Sequence, residues 1–485
     1  MIRMKTSIVV SLAAAMLVTS LASARVVSIS EAETVAKNWI ATVINYKGQW
    51  GDSKTAGVAE ITELKRGDRV IGYYCRVAPS GHIVISLVEG LAPVKAFSET
   101  STFDPTSDEG PADLIKFQLE RRLDAIEKQL GPVANVKSDA LRELLLLDHT
   151  KAWQDLLAGP VTVEKKEKLR KQPANNYVEG QFLLSSRWNQ FWPYNLLCPV
   201  PPAGNSCTDP HCATGCTATA GAQIMRYWSW PPGQPWLNMP DDFKITPTAA
   251  EITAVSGLCY AVGLGVQVNY CYKGDCASNA SIQNMADYFD NTYYNPLSPI
   301  VARYQYAWNE WYDMIVVNMN QNRPIHYSIK KHAIICDGYW YLTAPMYHMN
   351  YGWGGSYDDW YALDDLYQPD PEGTPADEWM LHEIYPLGSM GPLVVGAMPA
   401  NPSFPYRYVD RDCSAQSADF AAGQLIQFLP YMRLTCTSGY LRINGAPGHH
   451  TRLYTGENSR GVVVRDGQIL MHQRGAVRFD LQRPD

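Results

Sequence analysis

An apolar helix in the middle of the chain begins directly after a glycine turn, and a cysteine lies at its start. The helix is predicted from Thr217 to about Trp228, and Pro231-Pro232 ends it. The turn Thr214-Gly215 delivers Cys216 to the first helical turn. A helix N-terminus carries about half a positive charge, so a thiol placed there has a lowered pKa and forms the nucleophilic thiolate.

The length and composition limit the kind of protein this is. At 485 residues the chain exceeds one ordinary domain, and a prior of roughly 100–200 residues per domain predicts three units. With 46% hydrophobic and 18% charged residues it is globular, and a net charge of -7 gives no basis for a nucleic-acid partner. We expect a protein or small-molecule substrate and no cofactor.

Residues 1–24 have the pattern of a secretory signal peptide. Arg3 and Lys5 form a basic start, an apolar run extends from Ile8 to Leu21, and Ala22-Ser23-Ala24 supplies a cleavage site. The alternative is a membrane anchor, but the run is short of the ~20 residues that a bilayer span needs. We therefore predict a secreted or cell-surface protein whose mature form has no membrane span.

Eleven cysteines and predicted export make disulfides an expectation. Because the count is odd, at least one thiol stays free or pairs with another chain. Spacing favours the following pairs: Cys271 with Cys276, Cys413 with Cys436, and Cys212 with Cys198 or Cys207. Cys336 follows an apolar run and is predicted to be a buried thiol or a disulfide partner.

A zinc site is a competing interpretation of four of these residues. Cys207, His211, Cys212 and Cys216 are spaced like a compact knuckle of metal ligands. However, the adjacent His211 and Cys212 would have to bend onto one ion, and Cys216 continues into a helix. We therefore expect no metal here.

The N-terminal third has the pattern of a small α/β unit with one sheet. A capping box of Ser30 and Glu33 starts a helix. Strands 69–78 and 82–89 are separated by a Pro-Ser-Gly turn and predict a hairpin. Amphipathic patterns predict helices at about 113–130 and 138–157, and a charged stretch at 164–176 then breaks the apolar pattern.

Two further units follow, giving the divisions 25–178, 179–390 and 391–485 after the signal peptide. The middle unit is rich in Trp, Tyr, Gly and Pro. The last unit has short alternating strands with turns at Asn444-Gly445 and Asp466-Gly467, which predict a small antiparallel β domain.

A nucleophilic cysteine needs a base, a group that orients the base, and donors for the oxyanion. The middle unit offers all three. His332 begins a short apolar strand, and Asn350 can accept from one imidazole nitrogen while Trp353 shields the pair. Gln190 lies upstream and can donate its amide to the oxyanion beside the backbone N–H of Cys216.

Four blocks of sequence around these residues resemble the signature blocks of the streptopain family of secreted bacterial cysteine peptidases. They are Trp188-Asn189-Gln190 with Pro193-Tyr194-Asn195, Thr214-Gly215-Cys216-Thr217-Ala218-Thr219-Ala220 with Gln223-Ile224-Met225, His332-Ala333 with Asp337-Gly338-Tyr339, and Asn350-Tyr351-Gly352-Trp353-Gly354-Gly355. The resemblance extends from about residue 180 to 385, and the N-terminal unit is more weakly similar to the family's inhibitory prodomain.

The resemblance implies an α+β fold with a papain-like two-lobed catalytic domain, preceded by a small α/β prodomain and followed by the small antiparallel β domain. It implies a zymogen that hydrolyses proteins or peptides and is inhibited by its own prodomain. In these roles Cys216 is the nucleophile, His332 the base and acid, Gln190 the oxyanion donor, and Asn350 with Trp353 the support of the imidazole.

The sequence departs from the family pattern just before the histidine. Lys330 and Lys331 stand where the family shows glycine, and nearby cations disfavour an imidazolium. One alternative is therefore a silent peptidase-like binding or inhibitor protein. Another is an amidase or transpeptidase that uses the same Cys-His chemistry.

Overall fold

The computed structural model describes most of the chain between residues 25 and 385 and a set of strands beyond it. The described ranges are 25–108, 110–145, 147–162, 177–231, 234–243, 246–292, 298–329, 332–362 and 378–385, with the strands between 406 and 481. The predicted signal peptide, the charged stretch 164–176, and Lys330 with Lys331 lie outside the described residues.

The N-terminal unit packs helices against an antiparallel meander of four strands. Its elements are α1 (Ile29–Lys47), β1 (Gly57–Arg66), β2 (Arg69–Ala78), β3 (His82–Ser86), β4 (Val94–Ser98), α2 (Gly110–Leu130), α3 (Ser138–Leu144) and α4 (Thr150–Ala158). The predicted hairpin is confirmed as β2 and β3. The capping box is Ser28 with Glu31, two residues before the predicted pair, and the predicted helix 138–157 is two helices.

The middle of the chain forms one helical and one sheet lobe. The helices are α5 (Cys216–Trp228), α6 (Ala249–Gly265), α7 (Ile282–Asn291) and α8 (Trp308–Asn320). The strands are β5 (Ile300–Ala302), β6 (Ile325–Ile329), β7 (His332–Tyr341), β8 (Pro345–Asn350), β9 (Asp359–Ala362) and β10 (Trp379–Leu381). These lobes, with the helices and antiparallel strands of the N-terminal unit, give the predicted α+β fold.

Helix α5 lies at the centre of the middle region. Every residue from Thr217 to Trp228 is buried. Residues 217–222 have small side chains, which let neighbouring elements approach this half of the helix closely. A Cβ on Gly221 would lie 2.4 Å from Sδ of Met285 on α7, so a larger residue there would require the Met285 side chain to shift. The helix start therefore has a rigid mount.

The N-terminal unit and the sheet lobe share one continuous sheet of ten strands. Its order is β1-β2-β3-β4-β9-β8-β7-β6-β10-β5. The junction is antiparallel, with Ala96 opposite Tyr361 and Phe97 opposite Trp360. Phe97 also stacks on Trp360 at 6.4 Å, and both belong to an apolar cluster that contains residues of α1, α4 and β7. The N-terminal unit is thus attached through backbone pairing and a shared core.

The C-terminal strands do not form the predicted antiparallel domain. They are β11 (Tyr406–Val409), β12 (Cys413–Ala415), β13 (Ala418–Phe420), β14 (Leu425–Phe428), β15 (Arg433–Cys436), β16 (Tyr440–Asn444), β17 (Arg452–Thr455), β18 (Gly461–Val464), β19 (Gln468–His472) and β20 (Arg478–Leu481). Every third strand pairs in parallel, giving three sheets: β11-β14-β17-β20, β12-β15-β18 and β13-β16-β19.

The reason for this error is that alternation identifies a strand but not its partner. The strands on either side of Asp466-Gly467 are β18 and β19, which a hairpin would pair with each other. Instead β18 pairs with β15 and β19 with β16. A repeating three-strand coil of this kind produces the same local pattern as a series of hairpins.

Within the described part of the chain, no helix has both the length and the apolar character needed to cross a bilayer.

Candidate active site

Cys216 is the first residue of α5, as predicted, and the turn before it requires glycine. Gly215 has φ +87°, a left-handed conformation that side chains disfavour, and a Cβ there would lie 3.1 Å from the carbonyl oxygen of Ser278. The hydroxyls of Thr214 and Thr219 are 2.6 Å apart and tie the turn to the helix. The sulfur therefore has a fixed position at the helix N-terminus.

His332 is the first residue of β7 and brings its imidazole to the Cys216 sulfur from the other lobe. Burial raises the pKa of the Cys216 thiol. The hydrogen bond and positive charge of His332 lower it, as do the backbone N–H groups of Ala333 and Thr217, and the net effect is a pKa below the usual cysteine value. This arrangement favours the thiolate form of Cys216.

The far side of the imidazole is held by a backbone carbonyl and an indole. Nε2 of His332 lies 2.9 Å from the carbonyl oxygen of Tyr351, and the ring stacks on Trp353 at 4.2 Å with an interplanar angle of 22°. A carbonyl only accepts, so Nε2 carries hydrogen and Nδ1 is the nitrogen left for the sulfur. Trp353 therefore covers one face of the imidazole.

Asn350 does not make its predicted contact with the imidazole. Its Oδ1 accepts from Gly352 N at 3.0 Å and Gln223 Nε2 at 3.1 Å, and its Nδ2 donates to Ser186 O at 2.8 Å. The backbone carbonyl of the next residue, Tyr351, is the acceptor for the imidazole, the role that we predicted for the Asn350 side chain. Asn350 therefore shapes the loop that carries Tyr351 and Trp353 and does not touch the histidine.

Gln223 is a buried polar residue that the sequence reasoning did not single out. It is fully buried on α5, and its Oε1 accepts from the backbone N–H of Trp188 at 3.1 Å. With its bond to Asn350, it connects three chain segments around the site. The sequence did contain an indication of this role: Gln223 is an amide within an apolar helix, and a buried amide requires hydrogen-bond partners.

Gln190 lies beside the turn that precedes Cys216. Its carbonyl accepts from Thr214 N at 3.0 Å, and its backbone N–H donates to Asn189 Oδ1 at 2.6 Å. The residue is 8% exposed, and within the described residues no hydrogen bond involves its side-chain amide. That amide is free to donate to a bound oxyanion.

Two disulfides fix the segment that leads to the nucleophile. They join Cys207 to Cys276 and Cys212 to Cys271. Both differ from the predicted pairs, because partners 59 and 69 residues away are brought close by the fold. Cystine sulfurs are not thiolates, so the four-ligand zinc interpretation is wrong. The side chains of Cys413 and Cys436 lie outside the described residues.

Removing the Cys212–Cys271 disulfide by changing both residues to serine is expected to lower the free energy of unfolding by about 2–4 kcal/mol, since a long loop is released in the unfolded chain. Urea unfolding of the full chain, followed by tryptophan fluorescence, measures this. Unchanged unfolding midpoints in oxidised protein would contradict the assigned pairing.

Cys216 differs in its chemistry from the other free cysteines of the described residues. Burial raises the pKa of Cys75 to about 12 and of Cys198 to about 11, and it also raises the pKa of Cys259 and Cys336. Cys336 is a buried free thiol, one of the two states predicted for it. Of these five thiols, only Cys216 has a lowered pKa.

The N-terminal unit contacts the loop that supports the histidine. Ser101 Oγ donates to Asp359 Oδ1 at 2.8 Å, and Nε2 of His82 lies 3.5 Å from Asp359 Oδ2, with both side chains fully buried. Phe103 packs on Tyr357 at 5.7 Å, and Tyr357 contacts Trp353. The unit therefore packs against the loop between β8 and β9.

Comparisons with known proteins give matches to the region that contains this site. The model of the Peptidase C10 family matches residues 188–235 and 233–361, which include Gln190, Cys216 and His332. Streptopain of Streptococcus pyogenes is 26% identical over 366 residues, covering 66% of this chain and 81% of streptopain. The thiol protease/hemagglutinin PrtT of Porphyromonas gingivalis is 27% identical over 220 residues, covering 39% of this chain and 24% of that protein.

Two solved structures were also compared. A fragment of prointerpain A from Prevotella intermedia has a TM-score of 0.48 at 20% identity and covers 68% of this chain and 99% of that chain. Active interpain A from the same organism has a TM-score of 0.34 at 21% identity, covering 44% of this chain and 98% of that chain.

The matches and the Cys-His geometry define a cysteine-type peptidase. The part of the chain that matches the Peptidase C10 family model is residues 188–361, less than half of its length, and the chain is similar to streptopain over a longer stretch.

Proposed function

We propose that this chain is a secreted cysteine endopeptidase made as a zymogen, with Cys216 as nucleophile and His332 as base and acid. The observation that carries the proposal is the hydrogen-bonded Cys216–His332 pair at a helix start, where the pKa of the thiol is lowered. Protein and peptide chains are the proposed substrates.

The proposed reaction has two halves. The Cys216 thiolate attacks the peptide carbonyl, and the oxyanion accepts hydrogen bonds from the Cys216 backbone N–H and the Gln190 side chain. His332 gives its Nδ1 proton to the leaving amine as the C–N bond breaks, leaving a thioester. His332 then takes a proton from water, which attacks the thioester; the C–S bond breaks and releases the acid, leaving the Cys216 thiolate beside protonated His332.

The zymogen proposal rests on the attachment of the N-terminal unit. Its strand β4 extends the catalytic sheet at β9. Ser101 bonds to Asp359 at the start of β9, and Phe103 packs on Tyr357 in the loop that supports His332. We propose residues 25–178 as the inhibitory prodomain and 179–390 as the peptidase domain, with processing between about 164 and 181. Export is proposed from the sequence of residues 1–24.

Incubation of the full chain with denatured casein tests the class of reaction. We expect peptide fragments whose formation stops with a thiol-blocking reagent and continues with a serine reagent. No turnover after removal of the N-terminal unit would instead indicate a silent binding or inhibitor protein. Transfer of the acyl group to an added amine in preference to water would indicate a transpeptidase.

Replacing Gln190 with alanine is expected to lower kcat by about 100- to 1,000-fold with little change in KM, since the lost donor acts on the oxyanion alone. Steady-state kinetics on a fluorogenic peptide measure this, with the exposed Gln321→Ala as control. A change confined to KM would contradict the role of Gln190.

A further inference from the structure

The loop between β8 and β9 contains the Tyr351 carbonyl that accepts from His332. The Asp358 carboxyl in the same loop binds the Tyr351 N–H. Tyr351 O receives Nε2–H of His332 at 2.9 Å, while Tyr351 N donates to Asp358 Oδ1 at 2.8 Å. Both backbone polar groups of Tyr351 are therefore engaged: His332 donates to its carbonyl and Asp358 accepts from its N–H.

The Asp358 carboxyl is held where ionisation is unfavourable. Burial raises the pKa of Asp358 to about 7. The Tyr351 N–H and His348 act in the opposite direction, and the charges of Asp337 and Asp359 raise the pKa further. Asp337 itself is bound to His348 at 2.6 Å. A carboxyl kept in such surroundings, with a single backbone donor within the described residues, indicates a specific positional role.

We propose that Asp358 is a positioning residue for His332, which fixes the Tyr351 backbone and with it the carbonyl that receives the imidazole N–H. The inference rests on the proposed function, in which His332 is the base and acid. Asp358 acts through the Tyr351 backbone and has no role in substrate contact.

The chemical consequence concerns the imidazolium. While the Tyr351 carbonyl is held in place, it selects the Nε2–H tautomer and stabilises the charged ring beside the thiolate. Without the Asp358 acceptor the Tyr351 peptide is free to turn, and the ring loses its fixed partner. The thiolate-imidazolium pair then forms less readily, so kcat falls and the pH at which Cys216 becomes reactive rises.

A pair of variants separates the hydrogen bond from the charge. Asp358→Asn keeps an oxygen that accepts from Tyr351 N, whereas Asp358→Ala removes the acceptor. Asp290→Asn, at an exposed position on α7, controls for the loss of one negative charge. Each full chain is first matured by a trace of wild-type enzyme. The readouts are then the iodoacetamide reaction rate of Cys216 between pH 5 and 9, followed by peptide mass spectrometry, and the rate of peptide hydrolysis.

For Asp358→Ala we expect kcat to fall about 10- to 100-fold, with KM within about threefold and the alkylation profile displaced to higher pH. Asp358→Asn and Asp290→Asn are expected to stay near wild type in both readouts. A wild-type alkylation profile in Asp358→Ala, or an Asp358→Asn variant as impaired as alanine, would overturn the proposal.

Two further outcomes are also decisive. If Asp358→Ala does not fold, Asp358→Asn decides alone, because a profile displaced to higher pH in that variant overturns the hydrogen-bond role and a wild-type profile supports it. If wild-type Cys216 shows no enhanced reactivity below pH 8, the proposed function fails and this inference with it. Normal wild-type reactivity with an unshifted alanine profile overturns this inference alone.

Discussion

The full chain carrying Cys216→Ala is expected to remain an unprocessed precursor and to hydrolyse casein at least about 10,000-fold more slowly than wild type. The thiolate forms the bond that starts the reaction, and the other free thiols among the described residues have raised pKa values. Intact mass over time, at a concentration where wild type matures, measures the loss.

Cys75→Ala is the matched control, since it removes another free thiol from the same precursor. Cys75 lies on β2 of the N-terminal unit, and burial raises its pKa to about 12. This variant is expected to mature and to hydrolyse casein. A Cys216→Ala chain that still matures by itself would show that the nucleophile has been misassigned.

His332→Ala is the second change with a large expected effect, lowering kcat by about 1,000-fold or more. Burial alone raises the pKa of Cys216, and the hydrogen bond and charge of His332 are the two largest effects that lower it. Without them the thiol ionises at higher pH. Alkylation of Cys216 is therefore expected to be slow near pH 6–7 and to recover above pH 9, as measured by reagent uptake across this range.

His211→Ala provides the control for this experiment. His211 is only five residues before Cys216, yet its Nδ1 is 2.6 Å from the carbonyl oxygen of Cys198. We expect its alkylation profile to match wild type. If His332→Ala also kept the wild-type profile, the imidazole would not be what lowers the pKa of the thiol.

The elements that sequence predicted well are those determined by neighbouring residues. The start of α5 follows from Gly215 and the small residues after it, and the β2–β3 hairpin follows from two strand patterns around a turn. His332 was predicted at a strand start because an apolar run follows it. In each case the decisive signal lies within about ten residues.

The errors concern contacts between distant segments. Cys212 pairs with Cys271 because the fold brings their segments together, and spacing along the chain favoured closer partners. The C-terminal strands were identified, but their parallel pairing depends on residues about twenty or more positions away. The hydrogen-bond partner of the imidazole is the backbone carbonyl of Tyr351, one residue after the predicted Asn350. A backbone carbonyl is present at every residue, so the sequence does not indicate which one is used.

Covalent labelling of the full chain tests the central claim most directly. An irreversible thiol-directed peptidase inhibitor is added before and after removal of the N-terminal unit, and the label is counted by intact mass and located by peptide mapping. The Cys216–His332 assignment predicts one label per processed chain on Cys216, and the proposed zymogen predicts far slower labelling of the precursor. No label in either form, or stoichiometric label on another cysteine, would contradict the claim.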